Sequence, residues 1–289
     1  MVQFGRISTA MVTPFDSKGH VDFAKTTQLV NHLINNGTDS LVVAGTTGES
    51  PTLTKEEKIA LFDHVVKVVD KRVPVIVGTG SNNTYATIEL TKRVAQLGVD
   101  GIMIVAPYYN KPSQEGLYQH FKAVAENTEL PIMVYNIPSR SVVNILPETI
   151  IRLSEIPNIV CVKEASGDLS AMTKIIANTP EDFYLYSGDD SMALPVLSIG
   201  GAGVVSVSSH IIGNEMQQMV NAFFAGKNVE AAKLHQELLP IMQGLFKAPS
   251  PAPVKTALQL MGLDVGTVRL PLVPLNEQER AEIYELLKK

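Results

Sequence analysis

Asn158-Ile159-Val160-Cys161-Val162-Lys163-Glu164-Ala165-Ser166-Gly167 contains four consecutive apolar residues, three of them β-branched. Such a run reads as a strand buried on both faces, as in a parallel sheet covered by helices. Alternate residues of a strand point the same way, so Ile159, Cys161 and Lys163 are expected to share one face. If that face is the apolar interior of a sheet, the ammonium loses hydration and its pKa falls from about 10.4. A lysine with a lowered pKa is a nucleophilic amine at neutral pH, the species that forms Schiff bases with ketones. The competing reading is a strand-end lysine that snorkels into water. The rest of the chain has to decide between them.

Seven further short apolar runs have the same character: Ile7–Thr13, Ser40–Ala44, Val73–Gly78, Gly101–Ala106, Pro131–Tyr135, Phe183–Ser187 and Gly203–Ser208. Amphipathic segments of helical period separate them, near 22–36, 54–70, 83–97, 114–127, 147–154, 168–178, 190–198 and 213–226. Thr54 before Lys55-Glu56-Glu57 and Ser113 before Gln114-Glu115 have the chemistry of N-caps. Eight β/α units within residues 1–226 have the number and size of a (β/α)8 TIM barrel. A doubly wound open sheet would alternate similarly, but no Gly-x-Gly-x-x-Gly follows the first strand. Beyond residue 226 only helices are predicted, near 228–247, 254–262 and 276–288. Residues 227–289 are therefore expected to be a C-terminal helical extension on the barrel of residues 1–226.

Composition narrows the function. The chain has 289 residues, 45% hydrophobic and 18% charged, which is ordinary for a globular protein. A net charge of -5 without a basic cluster argues against nucleic-acid binding. The one cysteine, Cys161, cannot form an internal disulfide. No signal-peptide layout or bilayer-length apolar run is present, so a cytoplasmic protein without a membrane association is expected.

A barrel gathers its catalytic residues at the C-terminal ends of its strands. There the second strand carries Ala44-Gly45-Thr46-Thr47-Gly48-Glu49-Ser50, hydroxyls and glycines suited to a carboxylate, although such turns also occur for purely structural reasons. The fourth ends in Pro107-Tyr108-Tyr109-Asn110-Lys111-Pro112, where paired tyrosines suit packing or an interface. After the fifth come Tyr135-Asn136-Ile137-Pro138-Ser139-Arg140. Tyr135 has the parity of Met133 and is expected to look into the barrel. Arg140 is either solvated or a bidentate carboxylate ligand. The seventh closes in Ser187-Gly188-Asp189-Asp190, whose aspartates are explained by a helix N-terminus. His20, His32, His64, His120, His210 and His235 show no metal-ligand spacing, and no Gly-x-Ser-x-Gly elbow is present. No metal or cofactor is expected.

Together, Gly45-Thr46-Thr47-Gly48-Glu49, Tyr135-Asn136-Ile137-Pro138-Ser139-Arg140 and Lys163-Glu164-Ala165 strongly resemble the dihydrodipicolinate synthase and N-acetylneuraminate lyase family. These are pyruvate-dependent class I aldolases on a (β/α)8 barrel, and the 28-residue spacing from Tyr135 to Lys163 fits the family pattern. The resemblance runs over nearly the whole chain. It implies that Lys163 forms the Schiff base with pyruvate, and that Tyr135 passes protons along a chain with Thr46 and Tyr109. The residue matching Tyr109 comes from a neighbouring subunit in the family, implying a homodimer, commonly within a homotetramer. Thr47 and the Val205 backbone would hold the pyruvate carboxylate, with Gly188 beside them.

Arg140, Ala106-Pro107-Tyr108-Tyr109-Asn110-Lys111-Pro112 and Pro253-Val254-Lys255 resemble the synthase branch, which uses L-aspartate 4-semialdehyde as second substrate in lysine and diaminopimelate biosynthesis. A sialic acid or keto-deoxy sugar-acid lyase is the alternative within the family. Lysine-inhibited members carry histidines or other polar residues, and a glutamate, where this chain has Lys55, Lys58 and Ala86; Ser50, Asn82 and Tyr108 still match. Cationic lysines would repel an inhibitor's ε-ammonium, so weak or absent lysine feedback is expected.

Overall fold

Eight parallel strands close on themselves in sequence order, each hydrogen-bonded to the next and the last to the first. The structure is a computed structural model and describes residues 4–288. Its elements run β1 (Ile7–Ala10), α1 (Phe23–Asn35), β2 (Ser40–Val43), α2 (Lys55–Val69), β3 (Val75–Gly78), α3 (Thr84–Val94), β4 (Gly101–Val105), α4 (Gln114–Ala125) and β5 (Ile132–Asn136). There follow α5 (Pro138–Ser141), α6 (Pro147–Leu153), β6 (Ile159–Glu164), α7 (Leu169–Asn178), β7 (Tyr184–Ser187), α8 (Ala193–Ser198), β8 (Gly203–Ser206) and α9 (Ser209–Phe224). Three more helices follow among the described residues: α10 (Asn228–Gly244), α11 (Ala252–Leu260) and α12 (Glu277–Leu287). The chain is a (β/α)8 TIM barrel with a C-terminal helical extension. No helix among the described residues is long and apolar enough to cross a membrane.

Strand alternation sorts the apolar residues into two layers. Outward side chains such as Leu41, Val43, Val75, Val77, Ile102 and Ile104 join the helices in one continuous core. Inward side chains, including Val42, Ile76, Met103, Met133, Cys161, Tyr186 and Val205, fill the barrel itself. Phe4 belongs to this inner cluster, its amide donating to the Tyr186 hydroxyl at 3.3 Å. The interior is thus a packed core with no pore, leaving room for a site only at the mouth.

Helix starts follow local chemistry. Thr54 and Glu57 form a reciprocal capping box on α2, and Ser113 accepts from the Gly116 amide on α4, as their positions predict. The ninth helix differs from expectation. It begins at Ser209, not 213, with a kink at Ile212 (φ -121°, ψ 35°). A Cβ on Gly213 would stand 2.0 Å from the Asn36 carbonyl oxygen, so glycine allows α9 to close against the end of α1.

The expectation that Ile159 shares a face with Cys161 and Lys163 is corrected. Ile132 pairs with Ile159 but Met133 pairs with Cys161, which leaves Val160 as an extra residue in β6. Ile159 consequently packs in the outer core, whereas Cys161 packs inside. The bulge resets the phase, and Lys163 keeps the inward orientation.

The extension packs chiefly through α10 and α11 against α9, with α12 laid on both of them. Leu238 and Met242 of α10 join Met216, Met219 and Val220 of α9 in an apolar cluster that also contains Ile7 and Val204 of the barrel.

Candidate active site

Lys163 stands between two tyrosines, in register with Tyr135 on β5 and Tyr186 on β7. Its Nζ lies 4.2 Å from the Tyr135 ring centroid, and the residue is only 5% exposed. Burial pushes its pKa down to about 7; the Asp190 charge opposes that fall and the Arg140 guanidinium adds to it. Half of such lysines are neutral near pH 7, so the snorkelling reading does not hold. Gly188 makes the room: a Cβ there would meet the Ala165 Cβ at 2.6 Å and Lys163 Cε at 3.1 Å.

Tyr135 is 3% exposed. Burial raises its phenol to about 12, against a hydrogen bond with Thr46 and the charge of Arg140. It is therefore a neutral donor and acceptor in contact with a reactive amine. Thr46 sits in a turn closed by Glu49 N to Thr46 O at 3.0 Å and Ser50 N to Gly45 O at 3.3 Å. The chain after β2 enters and leaves this turn through the left-handed region, with Ala44 at φ 51° and Glu49 at φ 55°. Each such residue costs about 1–3 kcal/mol and persists only where its surroundings fix it.

Glu49 shows what fixes it. The residue is 2% exposed, and its Oε1 accepts from Lys255 Nζ at 2.7 Å while Oε2 accepts from the Arg269 amide at 2.8 Å. The Arg269 guanidinium in turn grips both oxygens of Glu57, at 2.9 and 2.5 Å. Lys255 and Arg269 both lie 4.3 Å from the Phe15 ring. Burial lowers Lys255 to about 8, with Glu49 pulling it back up. In the sequence Glu49 and Lys255 stand out only as parts of motifs. Their pairing across 206 positions had no local signal.

Arg140 lies exposed in the one-turn helix α5. Its loop is pinned from below by Asn136, whose Nδ2 donates to Glu164 Oε2 at 2.9 Å and Asn144 Oδ1 at 2.8 Å. Asn136 Oδ1 accepts from the Ile145 amide at 3.0 Å. Burial raises the Glu164 carboxyl, and the bonds from Asn136 and Ser166 counter it. These two buried residues were not singled out from sequence, although they adjoin Tyr135 and Lys163 in their motifs.

A cavity of about 320 Å³ opens over this floor. Thr46, Tyr135 and Arg140 line it together with Ser50, Lys58, Ser81 and Tyr108. Lys58 is partly buried, and burial lowers its pKa. Lys163, Thr47, Val205 and Gly188 do not line the cavity. Lys163 packs against the Tyr135 ring, Gly188 packs on Lys163 Cε, Thr47 is buried within its turn, and Val205 is part of the inner core with Tyr135. Tyr109 is apart from all of these: it is 89% exposed, in the left-handed region at φ 73°.

The helix-terminus explanation of the paired aspartates holds for Asp189 alone, which accepts from the Ser191 amide at the start of a short 3-10 helix, Asp190–Met192. Asp190 turns inward instead and is 1% exposed. The arrangement as a whole can form an imine: a neutral amine, a phenol to move protons, and a cation above for an anionic reactant.

The chain is similar to known proteins over nearly its whole length. The model of the dihydrodipicolinate synthetase family matches residues 3–289. A 4-hydroxy-tetrahydrodipicolinate synthase of Bacillus subtilis (strain 168) is 66% identical over 283 residues, covering 98% of either chain. A crystal structure of a dihydrodipicolinate synthase from Bacillus anthracis superposes with a TM-score of 0.98 at 63% identity, covering 100% of this chain and 99% of that one. A structure of the enzyme from Cyanidioschyzon merolae with lysine bound gives a TM-score of 0.98 at 46% identity, covering 100% and 98%.

Proposed function

The chain belongs to the dihydrodipicolinate synthetase family, and on that premise we propose that it condenses pyruvate with L-aspartate 4-semialdehyde to 4-hydroxy-tetrahydrodipicolinate through a Schiff base on Lys163. The observation that carries this reading is the buried amine of Lys163, brought to about 7 and held against the phenol of Tyr135.

Neutral Lys163 Nζ attacks the ketone carbon of pyruvate, forming a C–N bond. One nitrogen proton and one further proton leave with the carbonyl oxygen as water, and the nitrogen becomes a cationic imine. That cation draws the electron pair of a methyl C–H bond toward itself, the proton departs, and a neutral enamine remains. The enamine carbon bonds to the aldehyde carbon of the semialdehyde, whose oxygen takes up a proton. The adduct's amino group then attacks the imine carbon, and Lys163 leaves as a free amine while the ring closes. Tyr135 is the group suited to carry these protons, because its phenol is neutral and bonded to Thr46.

In this reading Arg140 binds the semialdehyde carboxylate, and Thr47, Gly188 and the Val205 backbone hold pyruvate. Tyr109 from a neighbouring copy completes the proton chain, which makes the working form a dimer, assembled into a tetramer in the cytosol. The exposure of Tyr109 and its left-handed backbone support that assignment. Residues 227–289 act as an extension that braces the turn of Thr46. Lysine feedback is weak or absent in this reading: Lys58 brings a cation to the cavity wall, Lys55 is an exposed lysine at the start of the same helix, and exposed Ala86 offers no counter-charge.

Borohydride reduction with pyruvate, followed by peptide mass mapping, tests the reading. An adduct on Lys163 supports it, and an adduct elsewhere or none overturns it. Turnover with sugar aldehydes in place of the semialdehyde would move the assignment to a lyase of the same family. Strong inhibition by millimolar lysine would sink the feedback claim.

A further inference from the structure

We propose that Asp190 is a positioning residue for this chemistry: its carboxylate fixes the end of β8 and supplies the counter-charge for the Lys163 nitrogen when that nitrogen becomes a cationic imine. The inference rests on the Schiff-base reading above and adds a residue to it.

The geometry is asymmetric. Asp190 Oδ2 accepts three bonds, from Val207 N at 3.1 Å, Ser208 N at 2.8 Å and Ser208 Oγ at 2.9 Å. These donors follow directly on β8, whose Val205 is buried in the barrel interior beside Tyr135. Asp190 Oδ1 is buried and meets no donor at full hydrogen-bonding geometry among the described residues, although the Ser206 hydroxyl also helps to hold the carboxylate. A buried carboxylate oxygen without a donor is costly unless a cation compensates it. The chain leads from Gly188, packed on Lys163 Cε, to Asp190 in two residues.

The other charges and titratable groups around Lys163 do not fill this role. Tyr135 on β5 is neutral, and Tyr186 on β7 is pushed higher still by burial. Arg140 above is a cation and repels the nitrogen. Glu164, next in β6, is committed to Asn136 and the Ser166 amide. His210, which follows the Asp190 contacts, is buried, lowered to about 4, and bonded to the Val207 carbonyl. Among the described residues Asp190 is the acidic group that opposes the desolvation of Lys163; burial raises its own carboxyl, and the bonds from Ser206, Ser208 and Val207 counter that rise and favour the charged form.

Because the donors from Val207 and Ser208 converge on one oxygen, Asp190→Asn can keep them on its amide oxygen. The substitution removes charge and preserves the cap. The pH dependence of borohydride-trapped pyruvate adduct and the steady-state constants are measured for both proteins. The adduct still maps to Lys163, its acid midpoint moves down by about one pH unit, and kcat falls about tenfold to a hundredfold with a smaller change in the pyruvate KM. Asp190→Glu, which retains the charge, restores the midpoint. An unchanged or raised midpoint in Asp190→Asn overturns the proposal, even if activity falls. Absence of adduct in the unmodified enzyme overturns the Schiff-base reading instead. If Asp190→Asn does not fold, Asp190→Ser, whose hydroxyl can accept from the Ser208 amide, is read by the same criterion.

Discussion

Replacing Lys163 by methionine should abolish activity and make the protein more stable. Lys163 is 5% exposed, and its pKa falls from 10.5 to about 7 on folding. Between these values the unfolded chain binds a proton that the folded protein releases. The lysine therefore costs nothing above pH 10.5, costs progressively more as pH falls, and reaches its full cost below about 7. At pH 7 the difference amounts to about 4 kcal/mol of lost stability, at 1.36 kcal/mol per pKa unit. Methionine fills similar volume with no charge to desolvate. It also strips Asp190 of its counter-charge, so a net gain of about 1–3 kcal/mol is expected, a rise of a few degrees in Tm. Thermal unfolding of both proteins from pH 6 to 10 measures it. The gap should be widest near pH 6–7 and close toward pH 10. A methionine variant no more stable than its parent, or a gap that ignores pH, would refute the burial of a strained amine at this position.

Three further outcomes follow from named contacts. Tyr135→Phe should still give a pyruvate adduct on trapping but lose about 10²–10⁴ in kcat, since a proton relay contributes about that much; near-normal turnover would remove Tyr135 from the chemistry. Arg140→Ala should raise the KM for the semialdehyde while leaving pyruvate trapping intact, and a matching defect in trapping would argue for a general structural role. Lys255→Met should destabilise by about 3–5 kcal/mol by stranding buried Glu49, and the double substitution Glu49→Gln with Lys255→Met should recover most of that loss in urea unfolding. Equal losses in single and double variants would show that the ion pair is not the interaction at stake.

The barrel was legible because its strands are doubly buried runs and its helices carry ordinary caps such as Thr54 and Ser113. The phase of β6 was not, because the bulged Val160 is one apolar residue in an apolar run and leaves no mark in the pattern. Lys163, Tyr135 and Thr46 could be found because barrel topology collects strand ends at one mouth. Their roles came from the family motifs. Asp190 was hidden beside Asp189: two identical residues share one turn, and only the chain's path decides which of them turns inward. Pairings such as Asn136 with Glu164 join neighbouring strands and could be guessed once the register was known. The bond from Lys255 to Glu49 crosses most of the chain and is specified by tertiary packing alone.

That last bond orders events in time as well as space. Synthesis proceeds from the N-terminus, and the eighth strand is complete at Ser206, whereas Lys255 and Arg269 come later. At about 5–20 residues per second, the final roughly 60 residues separating Ser206 from Arg269 take about 3–12 s. During that interval every strand of the barrel exists, yet Glu49 lacks both of its partners from the extension. The turn bearing Thr46 then has its own hydrogen bonds and that from Thr13 but not the ion pair that fixes Glu49. A nascent barrel would thus hold Lys163 before the turn bearing Thr46 gains its brace from Lys255 and Arg269.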